Sequence, residues 1–290
     1  MTLPTLAIDL GGTKTLVALV EGGAVRESRC LATVRDSGAE VWMETILAGV
    51  RPWRGSFERA GIAVTGTIRA GWWSALNPAT LPVPPDYPLV HVLERGLGVP
   101  VTAANDAQAA AWGEYRYGAG QGCDMVFLTI STGIGGGLVS GGRLLKGRSG
   151  LAGHIGQTVI ETPDGIMRLE DVASGGALAR AAAARGIAAQ AVFDVGLRES
   201  RAEELAGPII RLLTSALRSL QVTLDPDCFV IGGGLGLAEG FLSRLSETLA
   251  DLPPALRPNL RAAALGAHAG VIGMADLVLI ESNGHLEVTP

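Results

Sequence analysis

Cysteine is scarce in this chain of 290 residues: Cys30, Cys123 and Cys228 lie far apart and form no Cys-x-x-Cys pair. That excludes a disulfide framework and suits a reducing compartment, and the three read as buried apolar thiols. A charged amino-terminal stretch leading into a short apolar one is missing, and no uncharged apolar run reaches the ~18 residues that span a bilayer. The expectation is a cytoplasmic chain with no membrane partner. Basic residues are not in excess, 23 Lys and Arg against 28 Asp and Glu, and the net charge of −5 argues against nucleic acid as a partner. Internal repeats and low-complexity linkers are absent as well. What remains is 48% hydrophobic and 18% charged, a globular composition long enough for one big domain or two modest ones.

Glycine is abundant, and three clusters of it carry the chemistry. Asp9-Leu10-Gly11-Gly12-Thr13-Lys14 sits between the β-prone runs Leu6 to Leu10 and Thr15 to Val20, both too short for helices, so the motif is strand-turn-strand. Backbone amides of adjacent glycines close on phosphate oxygens with no Cβ in the way. Thr13 and Lys14 add a hydroxyl and a cation, and Asp9 suits a hydrated magnesium ion. An ordinary Gly-Gly hairpin has the same look. The second cluster, Ser131-Thr132-Gly133-Ile134-Gly135-Gly136-Gly137, follows the apolar strand Met125 to Ile130 and leads into another strand and a tight turn through Arg143. The third, Gly232-Gly233-Gly234-Leu235-Gly236, joins a strand from Cys228 to Ile231 to a helix expected from about Ala238. It is either a plain strand-to-helix turn or the floor of an adenosine pocket. None matches a P-loop or the spaced-glycine dinucleotide fingerprint, which argues against a Rossmann dehydrogenase.

Between the clusters, a strand from about Val25, a helix from Ala39 to Val50 and a strand from Gly61 to Val64 are expected. Five prolines from Pro78 to Pro88 predict a loop, with Trp72 and Trp73 packing on it. Helical spacing begins at Asn105 and runs to about Tyr115, with Asn105 or Asp106 placed as an N-cap. Alanine-rich helices are expected at Gly176 to Ala184, Arg201 to Leu224 and Phe241 to Leu249, and Ala262 to Leu279 also looks helical. Thr158-Val159-Ile160 and Ile166-Met167-Arg168-Leu169 flank Pro163-Asp164-Gly165 as two short strands and a turn.

Two phosphate turns followed by a late glycine turn resemble the sugar kinase, actin and Hsp70-like ATPase superfamily, and within it the ROK family. The likeness tightens at Thr65-Gly66-Thr67-Ile68-Arg69, Ala75-Leu76-Asn77-Pro78, Ala104-Asn105-Asp106-Ala107-Gln108, Gly150-Leu151-Ala152-Gly153-His154-Ile155-Gly156 and Leu237-Ala238-Glu239-Gly240, where the N-acetylmannosamine kinase group of that family is the nearest pattern. The resemblance runs from Leu6 to about Ile272.

That resemblance implies an α/β fold of two domains with a nucleotide and sugar cleft between them: a small one of residues 1–104 plus a helix of about 268–290, and a large one of 105–267. It implies ATP on Asp9, Gly11, Gly12, Thr13, Lys14, Thr132, Gly133, Gly135, Gly136, Gly233 and Gly234, with magnesium held by Asp9 through water. The sugar falls to Gly66, Asn77, Asn105, Asp106, His154 and Glu170, the last in Glu170-Asp171-Val172-Ala173-Ser174-Gly175. Asp106 is the implied base for the 6-hydroxyl of N-acetylmannosamine, with a glucokinase, another hexose kinase or a non-catalytic sugar sensor as alternatives. The chain opens on its first phosphate strand, so the DNA-reading domain of ROK repressors is not expected. A homodimer is.

One departure is large. The family's zinc loop, His-x9-Cys-x-Cys-x4-Cys-x-Glu, has Gln157 where its His belongs, no cysteine between Cys123 and Cys228, and too short a segment before Glu170. No structural zinc is expected. The short hairpin, through its apolar side chains, is expected to brace Glu170 in the metal's place.

Overall fold

The computed structural model describes residues 3–78, 80–162, 165–186, 192 and 200–282. Their contacts divide the chain into two units, Met1–Tyr117 with Leu144–Ala152 and Ala267–Pro290, and Gly118–Arg143 with Gly153–Gly266.

In the first unit a meander of β1 (Thr5–Leu10), β2 (Lys14–Glu21) and β3 (Ala24–Ala32) leads into α1 (Ala39–Val50) and β4 (Ala60–Val64). A small hairpin, β5 (Thr67–Arg69) and β6 (Trp72–Ser74), is followed by α2 (Leu89–Leu97), β7 (Val101–Asn105) and α3 (Asp106–Tyr117). The sheet order is β3-β2-β1-β4-β7, with β1, β4 and β7 parallel. All five residues of β4 are buried, the pattern of a strand covered on both faces. Proline punctuation hides α2 in the sequence, yet Leu89, Leu93 and Leu97, one turn apart, bury its inner face. The proline-rich loop holds as a loop. Trp73 packs on it, fully buried and exchanging backbone bonds with Tyr87, while Trp72 stays half exposed.

The second unit repeats that topology. Its strands are β8 (Met125–Ile130), β9 (Ile134–Ser140), β13 (Cys228–Gly232) and β14 (Leu260–Ala262), with Arg143 opening the edge strand β10 (Arg143–Leu145), in the sheet order β10-β9-β8-β13-β14. Between them lie the hairpin β11 (Val159–Thr162) and β12 (Gly165–Arg168), then α4 (Leu169–Ala173), α5 (Gly175–Ala183), α6 (Ser200–Leu224) and α7 (Phe241–Glu247). The helix expected near Ala238 starts at Phe241, because Gly240 at φ 76° breaks the turn before it. Of the expected hairpin turn, Pro163 and Asp164 lie outside the described residues.

The helix read from Ala262 begins only at Ala269, as α8 (Ala269–Ser282). Ala262 instead ends an edge strand parallel to β13, with the Ala263 N–H donating to Ile231 O at 2.9 Å. Residues 283–290 of the expected terminal helix are outside the described residues. Nor does the first unit stop at residue 104: it keeps α3, because α3 and α8 cross with their backbones in contact. A Cβ on Gly273 would overlap Ala109 O, and one on Gly113 would come within 2.5 Å of Ala269 O. The cysteines differ from expectation too: Cys228 is buried, but Cys123 is half-buried and Cys30, on the exposed side of β3, is open to solvent.

Candidate active site

Ligands of parallel α/β sheets gather outside the carboxyl ends of the strands, and in the first unit that edge carries the amino-terminal motif and Asp106. β1 and β2 pair from Thr5↔Val20 to Leu10↔Thr15, so Gly11 to Thr13 form the turn, closed by the Gly11 N–H donating to Lys14 O at 3.1 Å. A Cβ on Gly12 would meet Thr80 O at 3.2 Å, so glycine lets the turn approach the chain where Thr80 N–H bonds Asn77 O. Beyond β4, Gly66 at φ 98° has Ser74 O where a Cβ would stand, a place only glycine fits.

Asn105 ends β7 and Asp106 opens α3. Asn105 Oδ1 accepts from the N–H groups of Ala107 and Gln108 at 3.0 and 3.1 Å, which makes it the N-cap. Its Nδ2 donates to Gly66 O at 3.0 Å and Val64 O at 3.5 Å. The amide expected among sugar hydroxyls is thus committed within the protein. Asp106 Oδ1 accepts from the Ala107 N–H at 2.8 Å, which steadies a carboxylate at a helix amino terminus. Burial pushes the Asp9 carboxyl up to about 7; the Asp106 charge adds to the rise and Lys14 opposes it. Two interacting carboxylates, oxygen donors only, are what a hard dication such as magnesium takes.

In the second unit β8 and β9 pair up to Ile130↔Ile134, and Ser131 to Gly133 make the turn, with the Ser131 N–H donating to Gly133 O at 2.9 Å. Gly135 and Gly136 belong to β9, not to the turn. Gly136 is small because Gly153 O and Phe127 O would lie 2.7 Å from a Cβ there. His154 follows Gly153 on that loop and is half-buried. The N–H groups of Gly175 and Gly176, opening α5, donate to Ser131 O and Thr132 O at 2.7 and 3.1 Å. Gly233, at φ 84°, folds the third cluster back over β8, where Leu235 and Gly236 N–H both donate to Ile130 O. Gly234 beside it faces open space. The second and third clusters therefore meet, and Glu170 joins them with its Oε2 against Gly133.

The hairpin's apolar side chains divide: Val159 and Ile166 are 68% and 78% exposed, while Ile160 packs on the core of the second unit and Leu169 is buried in it. Glu170 itself is met by polar side chains, Gln157 Nε2 donating to its Oε1 at 2.8 Å with Arg168 alongside. Among the described residues no group of three His, Cys, Asp or Glu side chains converges to hold a metal ion. No described helix is long and apolar enough to cross a membrane.

Sequence reasoning passed over three residues. Gln108 Nε2 donates to Gly150 O and Ala152 O at 3.1 and 2.9 Å, pinning that loop to α3. Asp276, buried on α8, accepts from Trp112 Nε1, Arg116 Nε and Tyr117 Oη of α3. Arg168 is the third. A lone Asp in the otherwise uncharged run Ala269 to Ile280 was the available signal for Asp276.

Twin sheets whose strand ends each carry glycine turns and carboxylates define a nucleotide-dependent α/β class, the actin and Hsp70-like ATPase fold. Within it the chain belongs to the ROK family, whose profile matches residues 5–281. It is 50% identical over 94% of its length to the bifunctional enzyme NanE/NanK of Brucella melitensis, of which it covers 54%. It is 41% identical to the N-acetylmannosamine kinase of Escherichia fergusonii, covering 95% of this chain and 98% of that one. A Streptomyces griseus ROK glucokinase solved with glucose and AMPPNP superposes with a TM-score of 0.80 at 29% identity, covering 95% of this chain and 99% of its own. The chain thus spans about half the length of the Brucella relatives it matches.

Proposed function

We propose that the chain transfers the γ-phosphoryl group of ATP to the 6-hydroxyl of N-acetylmannosamine, with magnesium, as a cytoplasmic homodimer that engages neither nucleic acid nor membrane. The observation that carries this reading is that a phosphate-type turn and a candidate base leave the same carboxyl edge of one sheet, the turn after Leu10 of β1, which pairs with Val64, and Asp106 after Asn105 of β7, which pairs with Val64 from the other side. Phosphoryl transfer asks a protein for positioning, charge neutralisation and a group that takes the attacking hydroxyl's proton. Asp106, steadied by the helix terminus, accepts that proton. Gly11, Gly12, Thr13, Lys14, Thr132, Gly133, Gly135, Gly136, Gly233 and Gly234 take the nucleotide. Asp9 would hold magnesium, which when bound would supply neutralisation of phosphate charge. Gly66, Asn77, His154 and Glu170 take the sugar, and Asn105 serves them from behind by holding the Gly66 carbonyl and the start of α3. Among the described residues no group of His, Cys, Asp and Glu suits the family's structural zinc, and none is assigned.

The sugar follows the relatives named N-acetylmannosamine kinase, while the glucose-bound Streptomyces structure supports a glucokinase as the second reading. A coupled ADP-release assay across N-acetylmannosamine, N-acetylglucosamine, glucose, mannose and fructose decides. The highest kcat/KM is expected for N-acetylmannosamine, because a site built to pair an acetamido group leaves polar atoms unpaired without it. Preference for glucose makes the protein a glucokinase, and no turnover of any sugar makes it a sensor.

A further inference from the structure

A chain of side-chain contacts in the second unit ends on Glu170. Arg168 donates twice to Asp171, from Nε to Oδ2 and from Nη2 to Oδ1, each at 2.8 Å. Its remaining nitrogen, Nη1, stands 3.4 Å from Gln157 Oε1 and 3.6 Å from Glu170 Oε1. Gln157 Nε2 donates to that same Glu170 oxygen at 2.8 Å.

The order of these contacts is fixed by chemistry. A side-chain amide can face either way, but a guanidinium has only donors, so Gln157 must turn its oxygen to Arg168 and its NH₂ to Glu170. Arg168 is in turn aimed by its paired bonds to Asp171, the geometry that most restricts a guanidinium. The Arg168 hydrogen bonds hold the Asp171 carboxyl below the usual carboxylate range, which keeps the pair charged through neutral pH. On the far side, Glu170 Oε2 rests against Gly133, where a Cβ would come within 2.9 Å of it. Glu170 is thereby gripped between an oriented amide and a glycine turn.

We propose that Gln157 and Arg168 are positioning residues that set the plane of the Glu170 carboxylate for the sugar, a role that rests on reading Glu170 as a sugar contact. They act through Glu170 and touch no reacting atom. The test is steady-state kinetics of Gln157→Met, Arg168→Met and Asp171→Asn with ATP and whichever sugar the parent protein phosphorylates best. Losing a hydrogen bond to a charged group should raise the sugar KM about tenfold in the first two variants. Asp171→Asn should move it the same way by less, with kcat and the ATP KM within about twofold of the parent throughout. In a Glu170→Ala background Gln157→Met should add nothing, which a role confined to folding would not reproduce. Sugar KM values that stay at the parent level in folded Gln157→Met and Arg168→Met, or effects that add to Glu170→Ala, overturn the proposal. A parent that prefers glucose unseats only the choice of sugar, since the same ratios are then read on glucose; a parent that phosphorylates no sugar overturns both.

Discussion

Asp9 shows what a single buried carboxylate costs the fold. Its carboxyl rises from 3.8 to about 7 on folding, first through burial and then through Asp106, so folding penalises its charged form. Below the unfolded value the penalty is absent; it grows as pH rises through the interval and is complete above about 7. Asp9→Asn should therefore stabilise the ligand-free protein by about 2–4 kcal/mol at pH 8 and by roughly half that near pH 5. Urea melts of both proteins at the two pH values check this, and an equal gain at both would remove the charge as its cause. Asp9, Lys14, Asn105 and Asp106 stand out as candidates in the sequence because each lies within a contiguous motif. Gln108, Arg168 and Asp276 are not, because what they hold lies elsewhere: Asp276 meets its partners on α3 from 159 to 164 positions away.

Elements were legible where one face alone is buried or a turn is short. The β1–β2 and β8–β9 hairpins and the long amphipathic α6 stand where the pattern put them. α8 did not announce its start because Ala269 to Val278 are all buried, leaving no polar face to give a period. Its crossing with α3 is set instead by two glycines, and Gly273→Ala should cost at least about 2–3 kcal/mol, since backbone cannot move aside for the new methyl. Gly207→Ala in α6 is the control: its Cβ would meet only the flexible ends of Arg211 and Glu203, and losing a helical glycine should gain about 0.5–1 kcal/mol. Thermal melts of the pair test the contrast; similar shifts would mean that the α3–α8 contact is looser than its geometry.

At the scale of the molecule, both units lay their strands in the same order, a repeat invisible in the sequence because the chains filling the two sheets share only their turns. The departure from the family's zinc loop is read directly from Gln157 and the missing cysteines, but the Gln157–Glu170 hydrogen bond was not legible, since a polar contact has no periodicity to read. Elemental analysis should find no stoichiometric zinc, and a chelator should leave the melting temperature unchanged once magnesium is restored; one tightly bound zinc per chain would refute this. The α3–α8 crossing also bears on how the protein is made. A ribosome releases the first sheet early, then the whole of the second unit, and only afterwards residues 269–282, the helix that α3 needs as its partner. Because domains generally fold as they emerge, the unit begun first is completed after the second, and the helix headed by Asp106 waits for its seat until the whole of the second unit has been made.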